Sequence, residues 1–294
     1  MKFQNFNDLD GETDQQKSEN LVMSARNGVY VQIKYNGVNC RISKNSAGGL
    51  CFATKNDKHW HPHFFGEALY QRMLWILDRV DPRLTFNAEL VAIEPGVKLA
   101  TLAGWVNVNS VYCHEPNKVG FIINDMYHRE VAYPFSERTN RLREIFQGKE
   151  DNYIKLAKTD VLFTPEGLEW YYESHVANGE EGIMIRVDPC YYYEGKSITP
   201  HGWKRPKYFT AEGRITNAIE GDGKRKGMLG AFMVCINSEF VWVGGGKNLT
   251  DEILTDYWVN RAKYIGQMAT IRYAELSVND VPLRPQLVAI RNYE

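Results

Sequence analysis

A primary amine carried on a rigid strand and followed at once by a tight turn is suited to nucleophilic catalysis by lysine. The run Val29-Tyr30-Val31-Gln32-Ile33-Lys34 alternates, with Val29, Val31 and Ile33 on one face and Tyr30, Gln32 and Lys34 on the other. Asn36-Gly37 then supplies the turn. Lys-x-x-Gly alone recurs by chance. Its weight comes from the segments downstream of it, in order: Glu89 on the polar face of an alternating run, Glu181-Gly182-Ile183-Met184-Ile185-Arg186, the cationic Lys204-Arg205-Pro206-Lys207, and the glycine-rich basic segment around Lys224. An amine, two carboxylates and a cationic cluster are the groups needed to attack a phosphoryl centre, hold a hard divalent cation and neutralise phosphate charge.

The elements that must position these groups are legible in outline. Residues 1–28 are polar and weakly patterned and read as a lead-in. Strands are expected over 29–44 and 50–54, joined by the turn Asn45-Ser46-Ala47-Gly48-Gly49. Leu69, Met73, Ile76, Leu77 and Val80 fall at helical spacing within 64–80. Strands are expected at 85–93 and 119–127, and a helix capped by Ser136 running to about 147. Thr164-Pro165 starts a further helix that ends near Asn178-Gly179, before short strands at 181–187 and 202–207. Beyond Phe209 the pattern changes to five short strands and one helix capped by Thr250, the content of a small oligonucleotide-binding barrel.

The bulk numbers bound the class. With 294 residues there is room for two cores, and with 44% hydrophobic residues the chain is globular. Lys plus Arg is 35 and Asp plus Glu is 36, so any polynucleotide surface must come from local clusters rather than net charge. No apolar run reaches membrane-span length and the first residues lack the apolar core of a signal peptide, so a cytoplasmic protein without membrane contact is expected. The 5 cysteines are scattered without a C-x-x-C pair and read as reduced structural thiols.

Taken in order, these segments resemble the covalent nucleotidyltransferases, and most closely the small ATP-dependent DNA ligases of phage and bacterial type. Lys34-Tyr35-Asn36-Gly37 looks like motif I (K-x-D-G), Ala88-Glu89-Leu90 like motif III, and Phe121-Ile122-Ile123-Asn124-Asp125-Met126 like motif IIIa. Glu181 to Arg186 is similar to motif IV (E-G-x-M-x-R), and Trp203 to Lys207 to motif V. Gly221-Asp222-Gly223-Lys224-Arg225-Lys226-Gly227-Met228-Leu229-Gly230 is similar to the barrel signature of DNA ligases.

The resemblance implies an α+β fold: a nucleotidyltransferase (adenylation) domain of antiparallel sheets and flanking helices over 1–209, then an OB-fold β-barrel over 210–294. It implies Lys34 as the residue that takes AMP from ATP, with Lys207, Arg205 and Lys204 on the α-phosphate. Gln32, Ile33, Asn39, Arg41, Glu89, Phe121, Ile183 and Met184 are implied around the nucleotide. Glu89 and Glu181 would hold Mg²⁺ or Mn²⁺. Lys55, Lys224, Arg225, Lys226 and Arg284 would face nicked duplex DNA, with the protein acting as a monomer. Asn36 stands where DNA ligases write Asp, and Asn39 resembles the K-x-x-G-x-N form of RNA ligases, so an RNA ligase of the same chemistry is the rival reading. A non-catalytic nucleic-acid-binding relative is a second.

Overall fold

The structure, a computed structural model, describes residues 2–11, 13–193, 198–245, 249–277 and 280–291. The chain folds as two compact units, Met1–Pro206 and Lys207–Glu294.

In the first unit the elements run β1 (Lys2–Asn5), α1 (Asp14–Ser24), β2 (Val29–Ile33), β3 (Val38–Lys44), β4 (Leu50–Ala53), β5 (His59–Trp60), α2 (Glu67–Leu77) and β6 (Leu84–Ala92). There follow α3 (Leu99–Trp105), β7 (Val119–His128), α4 (Phe135–Phe146), β8 (Ile154–Leu156), β9 (Thr159–Leu162), α5 (Pro165–Ala177), β10 (Gly182–Val187) and β11 (Ile198–Pro206). Two sheets result, in the orders β1-β11-β10-β2-β9 and β5-β4-β3-β6-β7-β8.

Each sheet has one apolar face. In the first, Val29 and Val31 of β2 pack with Ile183, Ile185 and Val187 of β10, beneath Leu21 of α1 and Leu168 and Tyr171 of α5. In the second, Cys40, Ile42, Phe86, Ala88, Leu90, Phe121 and Ile123 pack with Leu69, Met73, Ile76 and Leu77 of α2. Because strand side chains alternate, the opposite faces carry the polar residues. These polar faces meet: the Gln32 amide on β2 donates to the carbonyl oxygen of Asn124 on β7 at 3.0 Å.

Three differences from the sequence expectation bear on the site. The single strand expected over 29–44 is two strands in different sheets, and residues 34–37 cross between them. Gly37 is what permits the crossing: a Cβ there would lie 2.2 Å from the Leu90 carbonyl oxygen and 2.6 Å from Cγ of Glu89. The expected lead-in contains β1, which pairs with β11 in parallel, and α1, whose capping box joins Thr13 and Gln16. Its pattern is faint because few apolar positions, Phe6 and Leu21 above all, reach the core. Finally, α4 is not capped by Ser136. The Asp188 carboxylate, distant in sequence, accepts from the backbone N–H groups of Phe135 and Ser136.

The second unit holds β12 (Phe209–Glu220), β13 (Leu229–Ile236), β14 (Glu239–Gly245), α6 (Asp251–Val259), α7 (Arg261–Tyr264), β15 (Met268–Tyr273), β16 (Glu275–Leu276), β17 (Pro282–Leu283) and β18 (Gln286–Arg291). β12, β13, β14, β18 and β15 close into a barrel, the OB-type architecture expected. Ile215, Phe232, Val234, Val243, Ile271 and Leu287 fill it, and Leu254 of α6 plugs one side. Among the described residues no helix is long and apolar enough to cross a membrane.

Candidate active site

Lys34 begins the crossover. Its backbone N–H continues the ladder by one bond, to the Gly182 carbonyl oxygen at 2.8 Å, which fixes the start of its side chain against β10. The ammonium reaches Glu181, the residue before β10, with Nζ 2.6 Å from Oε1. Both side chains are partly open to solvent, at 23% and 30%. Lys34 and Glu181, far apart in sequence, are therefore joined because β2 and β10 pair antiparallel with Ile33 opposite Ile183.

Glu89 comes from the other sheet. It sits opposite Asn39 on β3 and Ile122 on β7. Burial pushes its carboxyl up to about 7, and the negative charge of Glu181 adds to this; Lys34, Lys55 and a hydrogen bond from Asn39 pull the other way. One amine and two carboxylates are thus within electrostatic reach, with exposed Lys55 beside them. Asn39 also donates to Asn87 Oδ1 at 3.1 Å, and Asn87 in turn donates to Asn124 Oδ1 at 2.6 Å, so a row of amides floors the second sheet's polar face. Arg41, on the same face as Asn39, donates to the Thr54 carbonyl oxygen at 3.0 Å and pairs with Asp57.

Glu89 and Glu181 fit a hard divalent cation. Among the described residues no three Asp, Glu, His or Cys side chains gather as a metal cage. Two carboxylates, with the remaining positions left to phosphate oxygens and water, are the donor set that Mg²⁺ accepts.

Several residues expected around the nucleotide lie elsewhere. Arg205 is 4% exposed, on the opposite face of β11 from Lys204. Its guanidinium pairs with Glu169 at 2.8 Å and Asp14 at 3.0 Å, and lies over the rings of Tyr172 and Phe6. It is a buried structural cation, not a phosphate ligand. Phe121 is 1% exposed and stacks on Phe52 inside the α2 core, which rules out stacking on a base. Alternation turns its neighbour Ile122 onto the polar face opposite Glu89. Ile183 is buried in the first sheet's apolar core, and Ile33, opposite it, shares that face. Gln32 is 2% exposed and its amide is committed to protein partners. Met184 is half-buried on the polar face, between Gln32 and Lys204 in register. Lys204 therefore shares Lys34's face of the sheet, whereas the motif V match favours its neighbours.

Lys207, Lys224, Arg225, Lys226 and Arg284 belong to the second unit. Lys207 lies over the Phe209 ring at 4.6 Å. Lys224, Arg225 and Lys226 are exposed on the β12–β13 turn. The turn is built by its glycines: Gly223 and Gly227 have φ of 59° and 82°, and a Cβ on Gly230 would lie 2.7 Å from the Glu220 carbonyl oxygen. Arg284 is exposed, before β18.

The missed residues were accessible to the same alternation. Asn87 lies two positions from Glu89 and shares its face, and Ile122 is offset by one from Phe121. Asn124 falls within the segment that resembles motif IIIa, but alternation does not show that it is the extra residue where the β6–β7 register shifts between Asn87 and Ala88.

The first unit joins two sheets across a polar cleft bearing an ion-paired lysine, and a closed barrel follows. That is the architecture of ligase nucleotidyltransferase domains with an OB-type partner. The family model described as ATP dependent DNA ligase domain matches residues 13–207, and the chain belongs to that family. A DNA ligase of Thermococcus fumicolans is 33% identical over 132 residues, covering 43% of this chain and 23% of that protein. A DNA ligase of Methanococcus aeolicus is 24% identical over 196 residues, covering 59% and 34%. The chain thus spans about a quarter to a third of the length of these curated relatives. A solved structure from work on Lig E DNA ligases has a TM-score of 0.66 at 21% identity, covering 91% of this chain and 94% of that one. The ATP-dependent DNA ligase of bacteriophage T7 in complex with ATP has a TM-score of 0.52 at 17% identity, covering 99% and 98%. At these identities the likeness is one of fold.

Proposed function

We propose that this chain is an ATP-dependent DNA ligase that seals nicks in duplex DNA as a monomer, through AMP carried on Lys34. The observation that carries the reading is the 2.6 Å ion pair of Lys34 with Glu181, with the Glu89 carboxyl within electrostatic reach. In the first step the Lys34 nitrogen bonds to the α-phosphorus of ATP as the bond from that phosphorus to the pyrophosphate oxygen breaks. The nitrogen attacks as the free amine, so its ion pair with Glu181 must open as ATP binds. Lys204, on the same face, would neutralise phosphate oxygen charge. Met184, half-buried on the polar face of its sheet, offers apolar surface for a base. Mg²⁺ bound at Glu89 and Glu181 would supply further charge neutralisation at the phosphates. AMP then passes to the 5′-phosphate of the broken strand, and the 3′-hydroxyl displaces it as the phosphodiester forms. The exposed turn Lys224-Arg225-Lys226 and Lys55 supply cations for the phosphate backbone. The five cysteines all stand as free thiols, in keeping with a reducing cytoplasm.

Incubation with α-labelled ATP tests the reading. The wild type should retain an AMP label that survives denaturation at neutral or alkaline pH and is released by acid, as a P–N bond requires, and Lys34→Ala should lose it while keeping its circular dichroism spectrum. An unlabelled wild type refutes the catalytic assignment. Sealing of nicked DNA, RNA and hybrid duplexes side by side then sets the DNA reading against the RNA one raised by Asn36, and gel filtration checks the monomer.

A further inference from the structure

Gln32 lies two residues before Lys34, on the same face of β2. Its Nε2 donates to the Asn124 carbonyl oxygen at 3.0 Å, in the other sheet, and to Thr159 Oγ1 at 2.9 Å on β9. Its Oε1 accepts from Arg186 Nη1 at 2.9 Å. Arg186 is itself buried, with its guanidinium over the Phe135 and Phe3 rings at 4.1 and 4.9 Å. The acceptor on the far side is a consequence of the irregular register of β7. Asn124 is the unpaired residue of that irregularity, which frees its backbone carbonyl from the ladder, and Asn87 holds its side chain.

The crossover that carries Lys34 is therefore fixed at both ends. Upstream, Gln32 ties β2 to β7. Downstream, Gly37 is wedged against Glu89 and Leu90 of β6. In between, the Lys34 N–H is held by Gly182. We infer that Gln32 is a positioning residue: it clamps the two sheets at the root of the crossover and so sets the height of the Lys34 amine in the cleft, and it does not read the nucleotide. The inference rests on Lys34 being the nucleophile. In-line attack is sensitive to such placement, since a misplacement of about 1 Å costs on the order of 100-fold in rate.

The test is single-turnover labelling of the full chain with α-labelled ATP over a range of concentrations, with GTP as competitor. The variants are Gln32→Met, which keeps the buried volume while losing the three hydrogen bonds, and Thr159→Val, which removes one acceptor on the side of the clamp away from the cleft. Amplitude reports the folded fraction and the rate constant reports geometry, so a general loss of structure moves only the first. The expected result is a saturating rate constant lowered roughly 10- to 100-fold in Gln32→Met, with half-saturating ATP and the preference over GTP retained, and a smaller fall in Thr159→Val. Raised half-saturation at an intact rate, lost discrimination against GTP, or unchanged kinetics overturns the inference. Should Gln32→Met not fold, Thr159→Val decides alone by the same criteria. An unlabelled wild type overturns both the nucleophile assignment and this inference; a labelled wild type with either contrary pattern overturns only the inference.

Discussion

Glu89 should make the protein less stable as the pH rises, and replacing it by its neutral isostere should reverse this. The carboxyl goes from an ordinary 4.5 to about 7 on folding, chiefly through burial. A raised carboxyl binds its proton more tightly in the folded chain than in the unfolded one. Stability is therefore unaffected well below 4.5, falls as pH rises from 4.5 to 7, and stays at the lower level above 7. At about 1.4 kcal/mol for each step of one in pH, the rise from 4.5 to about 7 bounds the penalty at about 3.5 kcal/mol. Glu89→Gln cannot ionise and escapes it. Thermal unfolding in EDTA across pH 4 to 8 should show the variant level with wild type near about pH 4 and more stable by ~1–3 kcal/mol at about pH 8, or several degrees in Tm. EDTA matters, since a bound cation would stabilise the ionised carboxylate and mask the effect. A variant less stable than wild type at high pH, or a difference that does not change with pH, would refute the reasoning. The mutation should also cripple self-adenylation, the pattern of a site residue that costs the fold stability.

Gly37→Ala should abolish self-labelling, because its Cβ would fall 2.2 Å from a backbone oxygen and the crossover must move to make room; full activity would show that the crossover tolerates displacement. Arg205→Met should lower stability by about 1–3 kcal/mol in urea unfolding, since Glu169 loses a partner in partly buried surroundings, while the labelling rate per folded molecule is retained. Replacing Lys224, Arg225 and Lys226 together by alanine should weaken binding to nicked DNA and flatten its log–log salt dependence by up to about three; an unchanged slope would remove the turn from the interface.

How much of this was legible in the sequence depends on which forces act locally. The alternation of β2 and β6 fixed which way Lys34 and Glu89 point, because a period of two reports a sheet with one buried face. The barrel was legible for the same reason, from short alternating strands separated by glycine turns. What alternation cannot report is the partner across the cleft. The turn at Asn36-Gly37 is visible within 29–44, but that it carries the chain from one sheet to the other is shown only by the strand pairing. The Asp188 cap of α4 and the β7 irregularity at Asn124 are likewise set by contacts distant in sequence.

Arg205 and Phe121 carry the sharper lesson. Both sit one residue from a position that faces the cleft, Lys204 and Ile122, and a single step in a strand exchanges site for core. A motif match fixes a segment to within about a residue, which suffices to place a strand in the fold and is too coarse to assign a side chain's face. The face is decided by the apolar layer beneath. Glu169 and the Tyr172 ring on α5 give Arg205 a charge partner and a cation–π seat on the helix-covered side, and Phe52 and Phe65 give Phe121 an aromatic socket under α2. For the same reason the residues that do face the cleft are those the helical layers leave alone: Gln32, Met184 and Lys204 on one sheet, Asn39, Asn87, Glu89 and Ile122 on the other. The polar composition of the two facing sheets is thus what remains of two amphipathic sheets once their apolar halves have been packed away, and a substitution that repacks either helical layer should shift the Lys34–Glu181 pair or Glu89 through the sheet it supports.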